Sequence, residues 1–273
     1  MFSTANNTLI HGRSRYTFIQ SSRPLHKPLL ACRTNAAVCR RAGGVLRESS
    51  MTKHLQRDLD SLHQEILSLS ATVEEMIDKA ATALSERRPD LADEVMQSDN
   101  EVDQMEVHIE EECLKILALH QPVAIDLRRI ATVLKVNSDL ERIADLAVNV
   151  AERAKALDEY PTFPLPSKLL RMATMASQMV RGALDAFVSL DAVNALRLIA
   201  LDETVDELNV EIIGELQALM QANPEQVAPA LFCFSATRHI ERMADHATNI
   251  AEDVVYLVEG DIVRHRRDNP TTN

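Results

Sequence analysis

The chain has 273 residues, 46% of them hydrophobic, so it can bury a sizeable core and does not belong to the disordered class. Its formal net charge is −12, but the first fifty residues hold eight basic side chains and one acidic one, which leaves −19 on residues 51–273. So acidic a body is expected to repel nucleic acid and anionic lipid headgroups, and to attract cations or basic protein surfaces. No apolar run approaches the ~20 residues of a membrane-spanning helix.

The first fifty residues differ from the rest, because they are rich in Arg and Ser, poor in acid and without helical periodicity. We interpret residues 1–50 as an N-terminal extension that is disordered or that reflects a wrongly assigned start, with Met51 as the true initiator. A transit peptide of similar composition is the alternative. A lipoprotein signal ending at residues 29–32 is rejected, because Arg, Lys and Pro occupy residues 23–28, where its apolar stretch belongs.

The body is predicted to be helical throughout, since it has few glycines, bunched prolines and many Ala, Leu and Glu residues. A first three-helix repeat is assigned to residues 51–158 and a second to 165–260, separated by a proline-dense stretch and followed by a tail at 261–273. The four cysteines form no Cys-x-x-Cys motif, which fits a reducing cytoplasm. The predicted helices are 54–87, 90–119, 122–157, 166–188, 191–222 and 225–260.

A phrase of twelve residues occurs twice in the chain, at 141–152 and again at 241–252. A repeat of about one hundred residues indicates duplication of a whole domain, because solenoid repeats have periods of roughly 20–50 residues. The predicted fold class is therefore all-α: two pseudo-symmetric three-helix bundles, placed end to end and derived from an internal duplication.

Carboxylate pairs spaced four residues apart are common in so acidic a chain, and the duplication separates informative pairs from chance ones. Residues four apart lie on one face of a helix, about 6 Å apart along its axis. Within single predicted helices, six pairs of this spacing have no acidic pair at the matching positions of the other copy. The pairs kept in both copies are Asp99 with Asp103, Glu141 with Asp145, Asp202 with Asp206, and Glu241 with Asp245.

The four retained pairs are predicted to face away from the core and to bind metal ions. Hard oxygen ligands amid negative charge suit Mg²⁺, Mn²⁺, Ca²⁺ or iron, and the identity of the ion stays open. Asn149 and Asn249 are candidates for additional carbonyl ligands, while Arg142 and Arg242 are expected to screen the acids. The alternative is a solvated acidic face.

Other polar residues are weaker candidates. His239 and His246 flank the last acid pair but have no histidine counterpart in the first copy, so we expect surface histidines. Cys113 and Cys233 do not match in the repeat and are expected to be small core residues. The chain has no phosphate-binding glycine loop, nucleophile elbow or His-Glu-x-x-His motif.

In combination, these motifs resemble the PhoU family, the accessory proteins of bacterial phosphate-specific transport and its signalling. The resemblance rests on the paired acids, on the Glu-Arg-hydrophobic-small-Asp phrase in both copies, and on the Gln-Pro-x-x-x-Asp-Leu-Arg sequence at residues 121–128. It covers about residues 54–260. Ala144 and Ala244 stand where family members commonly have Gly, and the second copy lacks the Gln-Pro phrase, so the two halves are expected to differ in partner contacts.

The resemblance implies a non-enzymatic cytoplasmic protein, often a homodimer, that carries metal ions on its acid pairs. It implies negative regulation of the phosphate-starvation response, through a link between the phosphate ABC transporter with its ATPase and a membrane sensor histidine kinase, and restraint of phosphate uptake. It implies contact with the membrane only through these partners, and no nucleic acid. Whether phosphate itself binds stays open.

Two rival functions follow from the residues. A metal-free helical adaptor would use its acidic faces to bind basic partner proteins. A di-iron carboxylate enzyme is disfavoured, because such enzymes carry Glu-x-x-His pairs that point into a four-helix core, and this chain contains no such pair.

Overall fold

A computed structural model describes the backbone of residues 45–262 and the surroundings of side chains from residue 53 onward. All regular structure in this range is helical, which confirms the all-α prediction. The elements are α1 (Val45–Glu86), α2 (Pro89–His120), α3 (Ala124–Asp158), α4 (Ser167–Ser189), α5 (Ala192–Ala222), a 3₁₀ helix (Pro224–Gln226) and α6 (Val227–Glu259). None of these helices is both long and apolar enough to cross a bilayer.

Local signals explain several of the helix ends. Pro89 occupies the first position of α2, where the missing N–H has no helical partner to lose. Gln121 caps the same helix in the left-handed conformation, with φ at 46°, and α3 begins only at Ala124, two residues after the predicted start. Gly260 ends α6 with φ at 81°, a conformation that glycine adopts without strain.

The first helix is longer than predicted. It begins at Val45, nine residues before the predicted start at residue 54, so the boundary drawn at Met51 falls inside a helix. No Gly or Pro occurs between residues 45 and 86, and nothing in this stretch therefore opposes helix propagation. Residues 1–44 and 263–273, for which an extension and a tail are predicted, lie outside the described residues.

Each repeat folds as a three-helix bundle. Helices α1, α2 and α3 pack against one another, and α4, α5 and α6 repeat this arrangement. Buried apolar side chains from all six helices form a continuous core, and Cys113 and Cys233 lie within it, as predicted. Ala144 and Ala244 are also buried, which places both small residues at tight helix contacts.

The two bundles lie side by side, and the expectation that they are placed end to end is wrong. Helix α3 packs extensively against α6, and α1 contacts α4. Lys135 Nζ lies 2.9 Å from Asp253 Oδ1, and Asp139 Oδ1 lies 2.8 Å from His246 Nδ1, so α3 and α6 run antiparallel. The repeat specifies the interior of each bundle, whereas their docking depends on further contact faces of α3 and α6, which periodicity alone does not reveal.

Candidate functional site

The first acid cluster consists of Asp99 and Asp103 on α2 and of Glu141 and Asp145 on α3, two helices that pack against each other. Burial, together with the charges of Asp103 and Asp145, raises the pKa of Asp99. Burial and the charge of Asp145 likewise raise the pKa of Glu141. Because the carboxylates on one helix raise the pKa of those on the other, the two pairs share one electrostatic site.

An exposed cation, Arg142, lies beside the first acid cluster. Arg142 Nε is 3.2 Å from Glu141 Oε2, and Arg142 Nη1 donates to Asp145 Oδ2 at 3.3 Å. One guanidinium therefore spans both acids of the α3 pair, which confirms the predicted screening role of Arg142. A metal ion at this cluster would compete with that guanidinium for the same oxygens.

The second acid cluster consists of Asp202 and Asp206 on α5 and of Glu241 and Asp245 on α6. Asp245 is exposed at the surface, but partial desolvation by its neighbours raises its pKa to about 6, aided by the charges of Glu241, Asp202 and Asp206. The Thr248 hydroxyl donates to Asp202 Oδ1 at 3.3 Å and holds that side chain toward α6. Each cluster thus forms within one bundle, a point that the sequence left open.

The cation beside the second acid cluster comes from an unexpected position. Arg238, one turn before Glu241 on α6, donates from Nη1 to Glu241 Oε1 at 2.9 Å. The other oxygen, Oε2, is buried and has no hydrogen-bond partner among the described residues. Arg242, the predicted screening residue, helps instead to lower the pKa of His239, after burial and Arg153.

The donor chemistry of both clusters fits a hard divalent cation, since each supplies four carboxylates from two helices. The buried Glu241 Oε2 and the raised pKa of Asp245 are the two features that a bound cation would relieve in the second cluster. Within residues 53–262, no three His, Cys, Asp or Glu side chains already converge as a metal site. Metal binding would therefore require the carboxylates to turn toward the ion.

The two asparagines considered as extra ligands follow the acid pairs by one turn. The Asn149 side-chain amide donates to the backbone oxygen of Asp145 at 2.7 Å, which fixes that side chain along α3. Asn249 is half-buried on α6. Their part in metal binding stays a prediction.

Sequence reasoning missed Glu106. This residue lies on α2, and burial together with the charges of Glu110 and Asp103 raises its pKa. Glu106 also helps to raise the pKa of Glu141 on α3, so it borders the first acid cluster. The duplication discards it, because Asn209 occupies the equivalent position in the second copy. The spacing of three residues from Asp103 was the signal that could have found it.

The expectation of surface histidines is wrong, because both side chains are half-buried. His246 Nδ1 bonds Asp139 Oδ1 at 2.8 Å and links α6 to α3. His239 Nε2 lies 3.2 Å from Ser235 Oγ, and burial lowers the pKa of His239. Both histidines lie on α6, the helix that joins the two bundles, and their burial follows from that docking.

The Gln-Pro-x-x-x-Asp-Leu-Arg sequence of residues 121–128 ends in Arg128, which connects the start of α3 to the end of α6. Arg128 Nη1 donates to the Leu257 backbone oxygen at 3.4 Å, and its guanidinium lies 5.5 Å from the ring centre of Tyr256. The same guanidinium packs against Gly260, where an added Cβ would meet it at 2.9 Å. The phrase has a structural role at this end of the molecule, apart from any partner contact.

The chain matches the family model described as PhoU domain twice, over residues 54–154 and 169–254. It is 38% identical over 226 residues to the phosphate-specific transport system accessory protein PhoU homolog of Pseudomonas putida, and the match covers 81% of this chain and 88% of that one. The crystal structure of PhoU from Pseudomonas aeruginosa is similar with a TM-score of 0.74 and 39% identity, covering 76% of this chain and 99% of that chain. The crystal structure of the phosphate transport system regulatory protein PhoU from Streptococcus pneumoniae gives 0.72 and 29%, covering 77% and 99%.

Proposed function

The chain belongs to the PhoU family, and we propose on that premise that it is a non-enzymatic regulator of phosphate transport. It represses the phosphate-starvation response when phosphate is plentiful and restrains phosphate uptake. The relatives are named as accessory and regulatory proteins of the phosphate transport system, which supports this role.

The regulator acts in the cytoplasm, as a homodimer, by linking the phosphate ABC transporter through its ATPase to a sensor histidine kinase. An adaptor of this kind needs two surfaces that differ. The outer helices α2 and α5 are related by the duplication yet diverge in sequence, and Leu114 on α2 and Val210 on α5 are both exposed. Control follows from a shift in population between partner-bound states.

Metal ions bind at the first and second acid clusters in this proposal. One observation supports it: acid pairs kept in register through the duplication lie on packed helices of each bundle, near enough for the carboxylates of one helix to raise the pKa of an acid on the other. A bound divalent cation supplies the positive charge that offsets repulsion among these carboxylates. The carboxylates that share a cation would then link α2 to α3 and α5 to α6. The surfaces that contact partner proteins would thereby be held in a fixed arrangement.

The metal-free adaptor is the second candidate, and the arginines favour it. Arg142 and Arg238 show that a guanidinium can pair with the acids of either cluster, as a basic partner side chain would. Elemental analysis of gently purified protein, with Asp145→Asn and Asp245→Asn proteins as matched controls, separates the two. Metal that is retained by the parent protein and lost in both variants supports the metal sites, whereas a metal-free parent supports the alternative.

A deletion strain tests the regulatory role. Removal of the gene from phosphate-replete bacteria is expected to derepress alkaline phosphatase, and an intact copy is expected to restore repression. Unchanged alkaline phosphatase in the deletion strain refutes the proposed function. A pull-down from the same cells is expected to recover the transporter ATPase or the sensor kinase.

A further inference from the structure

The antiparallel contact between α3 and α6 has two ends, which the duplication relates to each other. The repeated phrase at 141–152 and 241–252 sets the register, so each residue of α3 corresponds to the residue of α6 that lies one hundred positions later. At one end, which we call the paired end, Lys135 Nζ lies 2.9 Å from Asp253 Oδ1, and Asp139 Oδ1 lies 2.8 Å from His246 Nδ1. Each of these acids therefore has a partner on the other helix.

The other end of the contact carries different residues at the same positions. Arg153 stands at the position equivalent to Asp253, and His239 stands at the position equivalent to Asp139. Ser235 replaces the lysine. Both carboxylates of the paired end are thus absent here, and a guanidinium and an imidazole stand in their place. We call this the arginine end, and it consists of Arg153 on α3 and of Ser235, His239 and Arg242 on α6.

The residues of the arginine end lie close together. Ser235 Oγ is 3.2 Å from His239 Nε2. Burial lowers the pKa of His239, and the charges of Arg153 and Arg242 lower it further, so both guanidiniums are near this ring. The carboxylate of Glu152 acts in the opposite direction. Two cations and one anion therefore act on the ring, although residues 51–273 as a whole carry a net charge of −19.

Two buried nitrogen atoms at the arginine end, Arg153 Nε and His239 Nδ1, have no hydrogen-bond partner in the part of the chain that the structure describes. The arginine Nε always carries a hydrogen. His239 Nδ1 carries one in the tautomer whose Nε2 accepts from the Ser235 hydroxyl. A buried donor that loses water without gaining an acceptor destabilises the fold, and an anion with several oxygens supplies acceptors for both.

A small solute can reach the arginine end from solution. The Arg153 side chain keeps 31% of its surface exposed, and Arg242 is exposed. Glu152 Oε2 lies 3.5 Å from Arg153 Nη2, at the limit of hydrogen-bond distance, and this contact leaves Nε without an acceptor. Glu152 itself is exposed, so its carboxylate is also open to a solute.

We propose that the arginine end binds inorganic phosphate. Guanidinium groups form charge-assisted hydrogen bonds with phosphate oxygens, here from Arg153 and Arg242, and His239 adds a neutral donor. Hydrogen phosphate also donates one hydrogen bond, which the Glu152 carboxylate can accept. Sulfate has no hydrogen to donate, so the same carboxylate disfavours sulfate.

This assignment goes beyond the proposed function, which gives no ligand to the contact between α3 and α6. That contact joins the two bundles. A bound phosphate ion would bridge donors from both helices, as the side-chain carboxylates do at the paired end, and would stabilise the docking of one bundle on the other.

Isothermal titration of the purified full chain with inorganic phosphate tests the site. The protein is first stripped of metal with a chelator, so that an ion at either acid cluster cannot bring phosphate with it. We expect phosphate to bind at least about tenfold more tightly than sulfate or acetate. Absence of phosphate binding overturns the proposal, and acetate that binds as tightly as phosphate overturns it in favour of a site for a carboxylate side chain. No partner protein is present, so failure here is distinguishable from failure of the deletion-strain test.

Matched variants locate the binding. Arg153→Gln is expected to weaken phosphate binding about tenfold. Arg171→Gln removes the same charge from an exposed position on α4 and is expected to leave binding unchanged. Glu152→Ala is expected to reduce the preference for phosphate over sulfate. Equal effects of the two arginine variants, or an unchanged preference in Glu152→Ala, overturn the assignment to these residues.

A substitution that supplies an anion within the chain gives a second test. Ser235→Asp places a carboxylate at the position that faces Arg153 in the register of the paired end. We expect this variant to lose phosphate binding and to show a higher Tm than the parent protein without phosphate, because the internal carboxylate takes the place of the ion. Phosphate binding that persists in a folded Ser235→Asp protein overturns the proposal, and if this variant does not fold, the arginine variants decide.

Discussion

The two acid clusters share a carboxylate pattern and differ in the cations around it. In the first cluster, Arg142 spans both acids of the α3 pair at 3.2 and 3.3 Å. In the second, Arg238 takes one oxygen of Glu241 and leaves the other buried without a hydrogen-bond partner among the described residues. The duplication therefore kept the candidate ligands while the counter-charges diverged, and we expect the second cluster to bind a divalent cation more tightly.

Removal of two carboxylates from the second cluster should have the largest effect on this difference in metal affinity. Asp206→Asn with Asp245→Asn takes two of four charges from the second cluster, and Mn²⁺ affinity there should fall about a hundredfold, since hard cations depend on ligand charge. Isothermal titration with Mn²⁺ measures the loss. The matched pair, Asp103→Asn with Asp145→Asn, should leave the tighter binding phase intact; loss of that phase in the matched pair would contradict the ranking.

Removal of Arg142 should reduce the expected difference in metal affinity between the two clusters. Arg142→Gln frees both acids of the α3 pair, and the first cluster should bind Mn²⁺ about tenfold more tightly. Arg238→Gln, the matched control, releases a single oxygen of Glu241 and should change the second cluster less. Equal gains in the two variants, read from the same titration, would show that the arginines do not set the difference.

The pH should affect the second cluster more than the first. The pKa of Asp245 is raised to about 6, so protons compete with a cation for this carboxylate below that pH. Lowering the pH from 7 to about 5.5 should weaken Mn²⁺ binding at the second cluster about fourfold through Asp245 alone. Asp245→Asn should flatten the profile between these values, and an unchanged slope would rule out Asp245 as the titrating ligand.

The smallest expected effect is on stability without metal. Asp245 has a higher pKa in the folded protein than in the unfolded chain, so its ionisation destabilises the fold as pH rises from about 4 to about 6. Asp245→Asn should raise the free energy of unfolding by about 1 kcal/mol at pH 7, which is less than the full shift implies because water screens this exposed carboxyl.

Thermal unfolding measures this change as a Tm rise of about 2–4 °C at pH 7. The rise should vanish near pH 4, where the carboxyl is protonated in the folded protein. Asp145→Asn is the control. Arg142 partly neutralises Asp145, and the substitution removes this ion pair, so the same rise in Tm is not expected. A Tm gain at pH 4 as large as that at pH 7 would disprove the electrostatic origin.

Helix type and the retained acid pairs were predictable because they depend on local spacing. Periodicity and proline positions located six long helices, and the duplication selected eight acids, four on the helices of each bundle, whose part in metal binding stays a prediction. The start of α1 was placed too late, since residues 45–53 carry no breaker and no apolar stripe strong enough to mark a boundary.

Docking and counter-charges were not predictable, since they depend on contacts between distant residues. The antiparallel packing of α3 on α6 buries His246 against Asp139, and no pattern within one repeat contains that pair. Arg238 reaches Glu241 from the preceding turn, where Arg242 seemed equally placed by spacing. Glu106 was excluded by the duplication itself, because its counterpart is Asn209. A comparison of the two copies therefore cannot identify residues that act in only one bundle.

Anomalous diffraction from crystals soaked in limiting Mn²⁺ tests the central claim most directly. We predict a first manganese peak between α5 and α6 at Asp202, Asp206, Glu241 and Asp245, and a second peak between α2 and α3 only at higher concentration. Manganese that occupies the first acid cluster before the second would contradict the ranking, and peaks at neither cluster would contradict the metal sites altogether.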